Sequence, residues 1–138
     1  MKTGILLVED YPAVRRGIRR ILEMRGDWTV LAEAEDGEQG LTKAQEVRPD
    51  LAIVDIAMPR MNGLELTREL RRILPNIEVL VLTQHDSKEM VQAALSAGAR
   101  SYVVKSSVAF DLIPAVEASR MHRTFISPST SYQATADG

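Results

Sequence analysis

Four short apolar runs, each stopped by a polar residue able to do chemistry, constrain this chain more than any other feature. The run 5–8 stops at Glu9-Asp10, 51–54 at Asp55, 79–82 at Thr83 and 101–104 at Lys105. Runs this short, apolar and β-branched are buried on both faces, as strands of parallel sheets are. Residues 28–34 alternate enough to be a further strand. Between the runs, apolar residues recur at helical spacing: Val14, Ile18, Ile21 and Leu22; Leu41, Ala44 and Val47; Leu66, Leu70, Ile73 and Leu74; Val91, Ala94 and Leu95; Leu112, Ile113 and Val116. Pro12 suits a first helical turn. Gly26, Pro49, Pro75 and Gly98 mark helix ends. Asp86 followed by Glu89 resembles a capping box with an Asp cap. Pro114 predicts a kink in the last helix, or an irregular first turn.

Five strands alternating with five helices predict an α/β fold: a single five-stranded parallel sheet with helices on both faces. Crossovers in such sheets are right-handed. Strand order does not follow from the residues, and the flavodoxin-like order 2-1-3-4-5 is adopted. In that order Glu9-Asp10, Asp55, Thr83 and Lys105 share one edge, where open α/β sheets bind ligands. Three crowded carboxylates raise one another's pKa unless a cation is present. A hard divalent ion such as Mg²⁺ suits carboxylates, water and substrate oxygens. No histidine or cysteine lies in these motifs, which argues against zinc. Lys105 and Thr83 opposite the acids are what a tetrahedral dianion needs.

The bulk properties narrow the partners. A chain of 138 residues suits one core, and a net charge of -2 gives no global case for nucleic acid or an anionic membrane. Arg15, Arg16, Arg19 and Arg20 read as a solvated helix face rather than a nucleic-acid patch. Absence of cysteine removes disulfides and thiolate metal sites. No apolar run approaches a membrane span and no secretory signal is legible, so the expected placement is cytoplasmic. From Ser127 the chain turns polar, small and aperiodic. The expected organisation is a domain over 1–126 and a flexible tail or truncated linker over 127–138.

Glu9-Asp10, Asp55 with Met58-Pro59 and Asn62-Gly63, Thr83, and Tyr102 three residues before Lys105 together resemble the response-regulator receiver domain of two-component signalling. Ala97-Gly98-Ala99 and Phe125-Ile126-Ser127-Pro128 resemble its NarL/FixJ (LuxR-type) branch, whose members usually carry a C-terminal helix-turn-helix. The resemblance implies that Asp55 accepts a phosphoryl group from a sensor histidine kinase, a histidine phosphotransfer protein or a small phosphodonor. It implies no catalysis beyond the domain's own phosphorylation and dephosphorylation. Mg²⁺ would be held by Asp10, Asp55 and the backbone carbonyl of Ala57, with Glu9 helping through water. Thr83 and Lys105 would bind the phosphoryl group. Thr83 and Tyr102 would form a switch reshaping the surface of the fourth helix, fifth strand and fifth helix, to control transcription. A homodimer on phosphorylation is a further expectation, and DNA would be met only through a C-terminal domain not in this chain. Gln84 departs from the family, which usually has a small residue there, and is a candidate modulator of phosphoryl lifetime. His85 reads as an exposed loop histidine.

Other chemistries fit the same residues less well. An aspartyl-nucleophile phosphatase of the haloacid dehalogenase type wants a carboxylate two residues after the nucleophile, where Ala57 stands. A flavin or nucleotide carrier wants a Gly- or Ser/Thr-rich loop after the first strand, where Glu9-Asp10 stands. A scaffold without phosphoryl chemistry has no need of the acids, Thr83 and Lys105 together. The composition of the tail favours a longer regulator cut in its linker over a stand-alone receiver acting through protein contacts.

Overall fold

The apolar runs become strands covered on both faces. The computed structural model describes residues 2–132. In chain order the elements are β1 (Thr3–Val8), α1 (Pro12–Glu23), β2 (Trp28–Ala34), α2 (Gly37–Val47), β3 (Leu51–Val54), α3 (Gly63–Ile73), β4 (Glu78–Thr83), α4 (Lys88–Ala97), β5 (Ser101–Val104), α5 (Val108–Arg120) and β6 (Phe125–Ile126). All pair in parallel, in the order β2-β1-β3-β4-β5-β6. The order of the first five is the expected one. The two-residue β6, on the outer edge of β5, makes the sheet six-stranded rather than five-stranded.

Alternation assigns each apolar residue to a layer. Ile5, Leu7, Leu51, Ile53, Leu80 and Leu82 pack with Ile18 and Leu22 of α1 and Leu112 and Val116 of α5. Leu6, Val8, Ala52, Val54 and Val79 pack on the other face with Ala44 of α2 and Leu66 and Leu70 of α3. A slip of one residue in any central strand would exchange its layers, so register is strongly held. That register positions the site.

Local chemistry sets the helix ends. Asp36 Oδ1 accepts from Gln39 N at 2.8 Å, Asn62 Oδ1 from Leu64 N and Glu65 N at 2.9 and 3.0 Å, and Ser87 Oγ from Met90 N at 3.2 Å. The cap of α4 is therefore Ser87, not Asp86. Both types cap well, and the Asp86 carbonyl instead accepts from Ser131 N at 2.8 Å. Helix α5 continues through Pro114, and a 3₁₀ turn at Lys105–Ser107 leads into it. The carbonyl that loses its partner belongs to exposed Phe110, on the side where water can serve it.

Of the flexible tail or truncated linker expected over 127–138, residues 127–132 are described: Ser127 is buried, Thr130 and Tyr132 half-buried, and Pro128, Ser129 and Ser131 exposed. Tyr132 packs against a cluster that includes Val81, Val91 and Tyr102. Hydroxyls and backbone groups make most of these contacts, and apolar periodicity does not register them. The rest of the expected tail, 133–138, lies outside the described residues. Among those described, no helix is long and apolar enough to cross a membrane.

Candidate functional site

Strand register brings the chemistry to one edge. Val8 pairs with Val54, Val54 with Val81, and Thr83 with Val104. Glu9, Asp55 and Lys105 therefore leave adjacent or near-adjacent strands at the same end, and Thr83 is the last residue of β4.

Asp55 is buried and held from three sides. Its N–H donates to Val8 O at 3.1 Å. Oδ1 accepts from Ala57 N at 3.2 Å, and Oδ2 accepts from Lys105 Nζ at 3.0 Å. Glu9 is only 1% exposed, with Oε2 accepting from Tyr11 N at 3.0 Å. Its Oε1 lies 2.7 Å from Lys105 Nζ but off the line of a hydrogen bond, an ion-pair contact that leaves the oxygen without a hydrogen-bond partner. Burial pushes the Glu9 carboxyl above its ordinary value, against the pull of Lys105 and the Tyr11 amide, and Asp55 adds to the rise. Burial would lower the Lys105 ammonium, but its contacts with the Glu9 and Asp55 carboxylates more than offset this and hold it up. Asp10 is exposed at the mouth. Glu9, Asp10 and Asp55 each offer a carboxylate oxygen within 4.8 Å of the others.

The loop after Asp55 is pinned at neck and tip. Gly63 N donates to Ile56 O at 2.9 Å. A Cβ on Gly63 would fall 2.1 Å from the Asp55 carbonyl oxygen, so this approach requires glycine. At the tip, Arg60 and Met61 have φ of 53° and 84°, a strained region for such side chains. The Met61 carbonyl sits against Gly37, where a Cβ would fall 2.1 Å from it. Arg60 Nη1 lies 3.7 Å from buried Asp36 Oδ2.

Thr83 is fully buried, and its Oγ1 accepts from His85 N at 3.4 Å. Tyr102 is also fully buried, its ring turned into the core and its hydroxyl donating to His85 O at 2.8 Å. Burial, helped by Asp86, pushes the Tyr102 phenol up to about 12. Gln84 and His85 are exposed. The structure thus gathers Glu9, Asp10, Asp55 and Lys105 into one cluster, and links Thr83 to Tyr102 through the backbone of His85.

The sequence reading missed two supports of this site. Arg15 Nη1 donates to Glu9 O at 2.7 Å while its Nε pairs with Glu33 at 3.0 Å, and Arg19 also pairs with Glu33. Those two arginines are structural, whereas Arg16 and Arg20 do face solvent. Gly37 is the other, and only its place directly after a capping residue hinted at close packing.

Comparison with known proteins follows the same lines. The response regulator receiver domain family matches residues 5–117. The transcriptional regulatory protein DegU of Brevibacillus brevis is 36% identical over 131 residues, 95% of this chain and 56% of that protein. The response regulator protein VraR of Staphylococcus aureus is 38% identical over 116 residues, 84% of this chain and 56% of that protein. This chain therefore spans about half the length of these relatives. Among solved structures, a two-component response regulator of the LuxR family from Aurantimonas sp. SI85-9A1 superposes with a TM-score of 0.89 at 36% identity, covering 93% of this chain and 91% of that one. The isolated receiver domain of RcsB from Salmonella enterica serovar Typhimurium, solved with the phosphomimetic BeF3-, gives 0.88 at 25% identity, covering 95% of this chain and 97% of that one.

Proposed function

The chain belongs to the response regulator receiver family, in its LuxR/NarL branch, and from that premise we propose that Asp55 is the phosphoacceptor. The observation that carries this is the Asp55 carboxylate, seated between Lys105 and the two acids of β1's end. In the transfer, one Asp55 oxygen forms a bond to phosphorus as the donor's bond to its histidine nitrogen or acyl oxygen breaks. Attack by a carboxylate oxygen calls for no general base. Lys105, already beside Oδ2, pairs with the incoming phosphoryl oxygens, and the Thr83 hydroxyl donates to another.

An all-oxygen cluster of three carboxylates fits a hard divalent cation. Asp10, Asp55 and the Ala57 carbonyl would hold Mg²⁺, with Glu9 acting through water. Bound there, the ion neutralises charge on the phosphoryl oxygens. Exposed Gln84 stands beside Thr83 and is the proposed modulator of phosphoryl lifetime.

Thr83 and Tyr102 are the proposed switch pair, acting on the surface of α4, β5 and α5. The partner is a sensor histidine kinase or a histidine phosphotransfer protein in the cytoplasm. By analogy with the longer relatives, of which this chain spans about half, residues 1–126 act as the receiver for a transcriptional output that meets DNA through a further domain, with a homodimer formed on phosphorylation. Two RcsB dimers bound to DNA have been solved, at 25% identity to this chain, which supports that reading.

The test is incubation with acetyl phosphate and Mg²⁺, followed by intact mass and site mapping. One phosphoryl group at Asp55, lost in Asp55→Asn, is the expected result. Labelling that persists in the variant, or that needs no divalent ion, overturns the assignment.

A further inference from the structure

The α4–β5 face is already occupied, and its occupant is a segment of this chain. Residues 125–132 run along the outer edge of β5, where Ser101 pairs with Phe125 and Tyr102 with Ile126. Ser127 then closes a polar latch. Its N–H donates to Tyr102 O at 2.9 Å, and its Oγ accepts from Val104 N at 3.0 Å and donates to Asp111 Oδ2 at 2.7 Å. Ser107 Oγ donates to the same Asp111 oxygen at 2.8 Å. Further along, Ser131 N donates to Asp86 O at 2.8 Å, and Tyr132 packs on the cluster that contains Tyr102. The segment is thus tied to β5, to the start of α5 and to the β4–α4 loop.

These are the elements that the proposed switch moves. The His85 N–H donates to Thr83 Oγ1, and the His85 carbonyl accepts from the Tyr102 hydroxyl. The carbonyl of Tyr102 accepts from Ser127, and that of Asp86, the next residue in the loop, accepts from Ser131. An unbroken chain of bonds therefore leads from the strand-end threonine to the segment that leaves the domain. Tyr102 is shared by both halves: its side chain seals the loop while its backbone seats the segment.

We infer that residues 125–132 are the element that phosphorylation acts on: a strap whose docking is coupled to the inward packing of Tyr102, so that a phosphoryl group on Asp55 tightens it. This rests on Asp55 being the phosphoacceptor. The sign rests on the proposed switch, in which a phosphoryl oxygen draws Thr83 inward and favours the inward ring, the packing in which the strap is docked. A partner that reads α4 and β5 meets the strap as part of that surface.

Amide hydrogen exchange of the whole chain, with and without beryllofluoride plus Mg²⁺, tests this. Ala57 reports occupation of the phosphoacceptor site, and Ser127 and Ser131 report the strap. The expected result is a response at Ala57 together with slowing at Ser127 and Ser131 of about tenfold. Ser127→Ala and, separately, Tyr102→Phe should speed exchange at Ser131 in the free protein while leaving the Ala57 response in place. A full response at Ala57 with unchanged exchange at Ser127 and Ser131 overturns the coupling alone. No response at Ala57 overturns the phosphoacceptor reading, and this inference with it. Wild-type Ser131 exchange in both variants shows that the latch and the phenol do not hold the strap.

Discussion

Replacing Lys105 by methionine keeps its length and removes its charge, leaving two buried carboxylates facing each other. Its Nζ lies 2.7 Å from Glu9 Oε1 and 3.0 Å from Asp55 Oδ2. At an effective dielectric of about 20, each contact represents roughly 5.5–6 kcal/mol of gross Coulomb energy. Much of that is offset, because the lysine recovers its own desolvation when it is removed. Deleting one partner of a fully buried pair costs about 3–5 kcal/mol. The Lys105 side chain keeps 23% of its exposure, and that solvent contact trims the expected loss to ~2–3 kcal/mol. Urea unfolding followed by the fluorescence of buried Trp28 measures it, and the midpoint should fall by about 1–2 M. Saturating Mg²⁺ should stabilise Lys105→Met more than the wild type, because a cation among the three acids replaces the missing ammonium. Asp55→Asn in the Lys105→Met background should return part of the loss, since it removes one of the opposed charges. A loss below about 0.5 kcal/mol, inside the range of exposed pairs, refutes the reasoning. So does equal stabilisation of both proteins by Mg²⁺.

Tyr102 should titrate late, near 12. Because the phenol is raised in the folded state, its contribution to stability is complete below about 10 and is lost as pH rises toward 12. Absorbance of tyrosinate against pH should show this late phase in the wild type and lose it in Tyr102→Phe; its persistence there would assign it elsewhere. Gly63→Ala should destabilise the chain by ~1–3 kcal/mol despite alanine's better helix propensity, because its Cβ must displace the Asp55 carbonyl, 2.1 Å away. Thermal melts check this, and a variant as stable as the wild type would show that the loop yields freely.

The fold and the centre of the site were legible because both depend on β1, β3, β4 and β5. Runs such as 51–54, apolar at every position, too short for a helix and bounded by turn residues, read as strands buried on both faces. Once such strands lie side by side in register, the residues that end them must meet. The first six residues of the expected tail were not legible, because Ser127, Ser101 and Ser119 bind through hydroxyls. Ser101 Oγ lies 2.8 Å from Ser119 Oγ and accepts from Phe125 N at 3.2 Å, contacts that polar composition disguises as disorder. The one-residue shift of the α4 cap came from two adjacent capping residues, Asp86 and Ser87. The role of Arg15 was hidden because a helix arginine facing a neighbouring strand has the same spacing as one facing water. Nothing in the sequence specifies the rotamer of Tyr102, since a half-apolar ring at a strand end packs acceptably either way.

That rotamer bears on how large a signal the proposed switch would need. The inward ring is complete without a phosphoryl group: its hydroxyl has a partner, Thr83 is buried beside it, and Ile56, Val81 and Val91 pack around it. Turning it out would give up these contacts and leave the His85 carbonyl to water. In the proposed switch, phosphorylation of Asp55 would therefore not have to build the inward packing, only to add weight to a packing the protein already satisfies. Inverting a 1:99 population takes about 5.5 kcal/mol of differential stabilisation, whereas a tenfold change takes about 1.4 kcal/mol. A donated hydrogen bond from Thr83 to a charged phosphoryl oxygen supplies roughly 1.5–3 kcal/mol. One such bond matches the smaller requirement and falls short of the larger. A site built from Asp55, Lys105 and a single threonine hydroxyl matches a proposed switch that adds weight to a packing this chain already satisfies unaided.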